Sequence, residues 1–392
     1  MPTRRMTLAG LASLPFLPNP AFAGSRSPSG YIITRWEQDE WAYGSYSHLA
    51  RGSRPKHRRN LAHHVENKLF FAGEATATHP ATVHGALISG RAAAKDIRAT
   101  GAKRVAIIGA GFAGLGAAHA LSKDVEVTIF EARDRIGGRV WTNTDLGVPL
   151  DLGASWIHGP DDNPLSDLAK KTGTKTLFTD MDGGIWRGPN GTEPAAAPAW
   201  MEEVEIQTSM GTDYETLALS TYWDGDGFGG GDWLFPKGYA SLFPALAGDY
   251  ETRLNTPVTQ IDWADRVILN GEAEFDAVLV TVSLGVLKKA VINFAPALPG
   301  WKQTAIDKLG MGVLDKLYLK FDDVFWDKDA EWIVYATPEV NNYAVWLNLY
   351  PVNGQPILAG FVGGSAARLR AAKSDTQILR EAEAALTDMY PV

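Results

Sequence analysis

The chain contains no cysteine. Disulfide frameworks, thiolate zinc sites, iron–sulfur clusters and thiol nucleophiles are thereby excluded. It also lacks a positive excess: 37 Lys and Arg stand against 45 Asp and Glu, whereas nucleic-acid binding needs a basic footprint. No apolar run beyond the leader described next suggests a membrane span, and the eight histidines form no H-x-x-x-H pair with a carboxylate, so no metal site is expected. Glycine and tryptophan are abundant instead, 40 and 13 of 392 residues, which suits close backbone approaches and aromatic-lined cavities. At about 150 residues per domain, the length predicts two domains, or one with a large insertion.

Residues 1–23 read as an export signal. Arg4-Arg5 precede an apolar stretch from Leu8 to Leu17, too short to span a bilayer, and Ala21-Phe22-Ala23 supplies a small-x-small cleavage site. The run from Thr3 to Leu8 resembles a twin-arginine signal, with Thr7 in place of the usual bulky residue. An exported, periplasmic protein is expected. Loss of Arg4 and Arg5 leaves 35 basic against 45 acidic residues, net −10, a balance suited to a small cationic substrate.

Residues 24–30 have linker composition, Tyr31 to Trp36 reads as a strand, and 37–48 as an aromatic-rich turn. The run 51–64 carries Arg51, Arg54, Lys56, Arg58, Arg59 and three histidines; a solvated loop is expected, with anion binding as the alternative. Lys68 to Ala72 predicts a strand and 83–99 a helix. A strand from Arg104 to Ile108, a glycine turn, a helix to about Ser122 and a strand from Glu126 to Phe130 make a βαβ unit. Further on, 181–199 is Gly/Pro-rich, 200–219 helical and 224–232 a Gly/Asp loop. Strand patterns cover 258–282, ending in a buried strand from Ala277 to Val282, then 316–321, 331–337, 343–349 and 356–362, and a helix closes the chain over 375–389.

Gly109, Gly111 and Gly114 form a G-x-G-x-x-G between strand and helix. The first allows the tight turn, the second lets a pyrophosphate approach the backbone, and the third lets helix and strand pack. Glu131, 22 residues after Gly109 at the end of the next strand, is placed to accept ribose hydroxyls, and a carboxylate there disfavours a 2′-phosphate. A dinucleotide site follows.

Arg133-Asp134-Arg135-Ile136-Gly137-Gly138-Arg139 resembles the second glycine signature of flavin-dependent amine oxidases. So do the run from Asp151 to Gly159, Leu284 to Leu287, Pro299 to Lys302, Gly310 to Lys316, Arg35-Trp36, Gly44 to Ser47 and Phe70 to Ala75. Pro80 to Ala86 is most similar to the polyamine-oxidase and histone-lysine-demethylase branch.

The resemblance implies non-covalent FAD, since no Cys or evident His tether exists. Gly73, Glu74, Thr82, Val83, Arg133, Gly138, Arg139 and Val258 would join Gly109, Gly111, Gly114 and Glu131 around it. It implies hydride transfer from a cationic amine to flavin N5, hydrolysis of the imine, and O2 reduced to H2O2. Lys316 resembles the lysine that holds a water near N5, and Tyr46 one wall of an aromatic cage whose other wall falls at Thr82. Trp36 is implied to pack near the ring. His158 is either a group at the substrate tunnel or a core histidine. Asp161 and Asp162 attract polycations or merely form a solvated turn. An L-amino-acid oxidase remains an alternative, although no arginine is assignable as a carboxylate clamp; so does a non-catalytic FAD-binding protein.

The motif order departs from the family. Arg-Trp, Gly-Ser-Tyr-Ser and Phe-Ala-Gly-Glu normally follow the substrate domain, yet here they precede the G-x-G-x-x-G. The expected fold is α/β and circularly permuted: a Rossmann-like, doubly wound parallel sheet binding FAD, with a second mixed α+β substrate domain. The displaced segment is 24–62, the FAD domain 63–160 and 251–290, and the substrate domain 161–250 and 291–392. The oligomeric state is left open.

Overall fold

The computed structural model describes residues 26–180, 183–194, 196–218, 227–340 and 343–391. The expected export signal at 1–23 and part of the Gly/Asp loop, 224–226, lie outside the described residues.

Short runs of apolar residues without polar alternation form strands covered on both faces. Four of them, Glu126–Phe130, Arg104–Ile108, Ala277–Val280 and Leu69–Phe71, build one all-parallel sheet in that spatial order, with the polar, exposed strand Glu251–Arg253 added at the edge beside Glu126–Phe130. Helices Val83–Ala99 and Phe112–Leu121 cover one face, packing Leu87, Ala94, Ile97, Leu115 and Leu121 on Val105, Ile107 and Leu279. A small sheet of Gln260–Asp262, Val267–Leu269, Ala273–Phe275 and Asn293–Ala295 covers the other, meeting Ala106, Ile108, Phe130 and Val280. The two helices approach closely because Gly90 faces Ala113: a Cβ at Gly90 would lie 2.0 Å from the Ala113 carbonyl oxygen.

A second sheet of six strands runs Gly30–Ile33, Leu314–Lys320, Ile357–Gly363, Val345–Asn348, Trp332–Tyr335, Gly184–Arg187. Its neighbours are antiparallel except the last pair. Alternation assigns its two faces. Leu317 and Leu319 pack under the closing helix, Asp375–Met389, against Ile378, Leu379 and Leu386. Lys316 and its cross-strand partner Phe361 face a large cavity instead. The Gly/Pro-rich region holds the strand Gly184–Arg187 that local composition concealed.

Two expectations change. The basic run 51–64 is not a solvated loop: Pro55–Ala62 is a helix that buries His57, Arg58 and Leu61. Leu61 packs with Leu49, Ile306 and Leu309, and the buried Lys302 ammonium donates to the Leu61 carbonyl at 2.7 Å, a favourable cation at a helix C-terminus. The helical pattern over 200–219 is only Met201–Met210, stopped by Gly211 at φ +65. Pro164–Thr172 and Tyr239–Leu246 pack on each other and on the helices Val83–Ala99 and Phe112–Leu121, with Leu165, Leu168, Leu242 and Leu246 in the same core.

Candidate active site

The cavity between the two sheets has a volume of about 1160 Å³, larger than the roughly 300–1,000 Å³ of ordinary small-molecule pockets. Its wall draws on both halves of the sequence. Trp36, Tyr46, Gly73, Glu74, Thr82 and Val83 come from before the glycine turn. Gly109, Gly111, Glu131, Arg133, Gly138, Arg139, His158, Val258 and Lys316 come from the turn onward. Gly114 is not in the wall, and neither are Asp161 and Asp162. Gly114 lies behind the turn, where a Cβ would fall 2.0 Å from the Gly109 carbonyl oxygen.

At one end, Gly109 takes φ +105 and helix Phe112–Leu121 starts at Gly111 without a side-chain cap. A Cβ at Gly111 would meet nothing closer than the Gly137 carbonyl oxygen at 3.9 Å. Free N–H groups at a helix start beside open space suit a phosphate. The Glu131 carboxylate accepts from the Ala110 and Arg133 backbone N–H groups at 2.7 and 2.9 Å, which fixes it at the mouth of the turn. Glycine cradle, helix terminus, placed carboxylate and length together fit a dinucleotide cofactor.

Two ion pairs join the early segment to this end. Arg133 grips Asp39 through both nitrogens at 2.9 and 2.6 Å. Arg139 donates to Glu74 Oε1 and to the Ser45 carbonyl, each at 2.8 Å. Glu74 Oε2 also accepts from the Ser47 hydroxyl at 2.6 Å and from the Ala81 N–H at 3.2 Å. Burial pushes the Glu74 carboxyl up, but Arg139, Ser47 and Arg58 outweigh it and hold the group below its ordinary range. Arg58 donates to the Ser47 hydroxyl at 2.6 Å and itself lines the cavity. Only its position one turn from Leu61 signalled burial; the surrounding charge obscured it.

The opposite end holds Lys316. Its ammonium donates to the Asp151 and Gly153 carbonyls at 2.8 and 2.7 Å and to Ser155 Oγ at 2.5 Å. The Trp156 and Phe361 rings lie 5.7 and 5.5 Å from it. Burial draws the Lys316 pKa down, and Asp151 partly opposes that. The Tyr46 hydroxyl donates to the Thr208 carbonyl. The Trp36 indole donates to the Leu152 carbonyl at 3.0 Å and its backbone N–H to Asp315 at 2.8 Å. Thr82 lines the cavity but spends its hydroxyl on helix capping, accepting from the Gly85 N–H and donating to the His79 carbonyl. His158 is exposed, so the core reading of it falls; its Nδ1 lies 2.6 Å from Asp232. Asp39, Arg58, Asp232 and Thr208 were not found from sequence, each becoming meaningful only through a partner distant in the chain.

Glu74→Gln leaves Arg139 largely buried without its anion and should cost about 3 kcal/mol. Because the folded-state pKa is depressed, the carboxylate contributes fully above the ordinary range near about 4.3. Its contribution drains as pH falls through the lower folded value. Urea unfolding of both proteins should therefore show a gap at pH 7 that narrows only in strong acid; an equal midpoint at pH 7 would count against the pair.

The family model for flavin containing amine oxidoreductase matches residues 14–98, 112–194 and 208–392. Probable polyamine oxidase 4 of Arabidopsis thaliana is 30% identical over 356 residues, 73% of this chain and 71% of the relative. Human lysine-specific histone demethylase 2 is 27% identical, covering 74% of this chain and 44% of that protein. Cyclohexylamine oxidase from Brevibacterium oxydans shares the fold, with a TM-score of 0.56 and 22% identity over 74% of this chain and 81% of that one. The chain belongs to the flavin containing amine oxidoreductases and is an FAD-dependent amine oxidase.

Proposed function

We propose that the amine is a polyamine or a related small cation, oxidised beside nitrogen with O2 as the final acceptor. One observation carries this reading: a single cavity joins a nucleotide cradle to an aromatic end that also bears carboxylates. Trp156, Trp332 and Phe361 lie within 6.0 Å of one another there, and Glu205 and Asp232 share the wall. Ring faces attract a cation and exclude water from it, while the acidic groups draw it in. Relatives named polyamine oxidases support the same substrate class.

When bound, FAD supplies the two-electron acceptor; the protein supplies position and charge. The glycine turn, the start of helix Phe112–Leu121 and Glu131 hold the nucleotide end, with Arg133, Gly138, Arg139, Gly73, Glu74 and Val258 completing that wall. Tyr46 and Trp36 are held by their own hydrogen bonds and present a fixed aromatic surface. Lys316 is a positioned amine, held by its three hydrogen bonds, whose positive charge burial disfavours and Asp151 partly restores. Its three N–H groups go to the Asp151 and Gly153 carbonyls and to Ser155 Oγ, and the Ser155 hydroxyl in turn donates to the Asp151 carbonyl at 3.4 Å, which locks the group in place.

The purified, FAD-loaded protein should be bleached anaerobically by spermidine and not by L-amino acids. Bleaching by L-amino acids alone would transfer the assignment to an amino-acid oxidase, and no bleaching by any amine would reduce it to a binding protein. Lys316→Met should bleach as before yet regain its yellow colour in O2 at least tenfold more slowly. An unchanged rate removes the proposed role of that lysine.

We further propose that the chain is a circular permutation within its family. Residues 104–392 make up 289 of 392, about the share that the sequential matches cover. Arg26 lies 4.2 Å over the Phe325 ring, and the Tyr390 ring lies 6.1 Å from that same ring. The two ends of the described chain thus meet on one side chain. A gene reopened between Thr100 and Arg104, with Tyr390 linked to Arg26 by a short glycine linker, should yield a protein with the same FAD content and activity; an insoluble or colourless product would argue against equivalence.

A further inference from the structure

An amine substrate arrives protonated at neutral pH, and an ammonium nitrogen has no lone pair to assist loss of hydride from the neighbouring carbon. A proton acceptor is therefore needed on the way to the reacting end. Resting on the amine-oxidase reading, the geometry points to Asp232 as the residue that makes His158 that acceptor.

The pair is built by strand register. Asp232 opens the strand Asp232–Leu234, and it lies directly opposite His158 on the antiparallel strand Trp156–His158. Gly230 and Gly231, at φ +98 and +72, let the chain turn into that strand. The Thr179 hydroxyl donates to the Asp232 carbonyl at 3.0 Å and accepts from the Trp156 indole at 3.1 Å. The same tryptophan ring stands 5.7 Å from the Lys316 ammonium.

Asp232 Oδ1 lies 2.6 Å from His158 Nδ1. A carboxylate at that nitrogen keeps the proton on Nδ1 and leaves the Nε2 lone pair as acceptor. Both residues line the cavity, and the His158 side chain is 55% exposed. In the step, the substrate N–H bond breaks and its electron pair stays on nitrogen. The proton bonds to Nε2, Asp232 remains ionised and balances the imidazolium, and solvent at the exposed ring removes the proton. His84 on helix Val83–Ala99 is close enough to feel the His158 charge, and His79 lies beyond it with ring centroids 5.4 Å apart; Asp161 and Asp162 follow on the loop after His158. The His84 ring accepts at Nδ1 from Asn163 at 3.2 Å, and burial lowers its pKa to about 3, so it stays neutral and adds no competing charge.

The test is anaerobic stopped-flow bleaching of the FAD-loaded protein, with whichever amine bleaches the wild type fastest. Asp232→Asn should bind FAD normally but bleach at least tenfold more slowly at pH 7.5 and subsaturating amine. The deficit should close to within twofold near pH 10, where a sizeable fraction of the amine is already neutral without the enzyme's help. Asp232→Glu should recover much of the rate. In a double-mutant cycle read at saturating amine, where attraction of the cation no longer limits, adding Asp232→Asn to His158→Gln should cost nothing further. A deficit below twofold at pH 7.5, one that persists unchanged at pH 10, or costs that multiply in the cycle would each overturn the assignment of Asp232. If no amine bleaches the wild type, the substrate reading fails instead.

Discussion

A buried carboxylate that finds its cation across 65 residues of chain holds this site together. Glu74 and Arg139 belong to motifs on either side of the glycine turn, and their contact fixes the early segment against the nucleotide sheet. Arg133 and Asp39 repeat the arrangement nearer the turn. A charge removed from water is costly unless its partner is in place, so these pairs favour one docking of the segments over others that would bury similar apolar area. The same carboxylate organises Ser47, and through it Arg58, which turns a run of surface-looking basic residues into part of a wall.

That docking produces a cavity with two chemical ends. The nucleotide end is mostly backbone: glycines, N–H groups at a helix start and a carboxylate fixed by main-chain donors. The other end is mostly side chain, with stacked rings around a buried lysine and acidic groups in the wall. Large cofactor and small substrate thus meet in one continuous space, and the protein's contribution to the reaction is orientation and charge placement.

Much of this was legible in the sequence, for identifiable reasons. The strands Arg104–Ile108 and Glu126–Phe130 and the helices Val83–Ala99 and Asp375–Met389 match their predicted limits. Each has a strong periodicity or a bounded apolar run. The glycine turn was legible because its spacing reflects a backbone requirement. Helix Pro55–Ala62 was not, because its apolar face is little more than Leu61 and the partners that dock it, Lys302, Ile306 and Leu309, lie far along the chain. Nor was the strand Gly184–Arg187, which exists because Trp332–Tyr335 offers it an edge. Among site residues, those in local motifs were found; Asp39, Arg58 and Asp232 were missed because their roles arise from tertiary pairing.

Helices Val83–Ala99 and Phe112–Leu121, whose glycines let them touch, are separated in sequence by only a short strand and a turn. Contacts this local close small loops, and small loops lose little chain entropy. The helix pair can therefore assemble soon after its residues leave the ribosome, giving the five-stranded sheet a nucleation point near its middle and before most of the second layer has been synthesised.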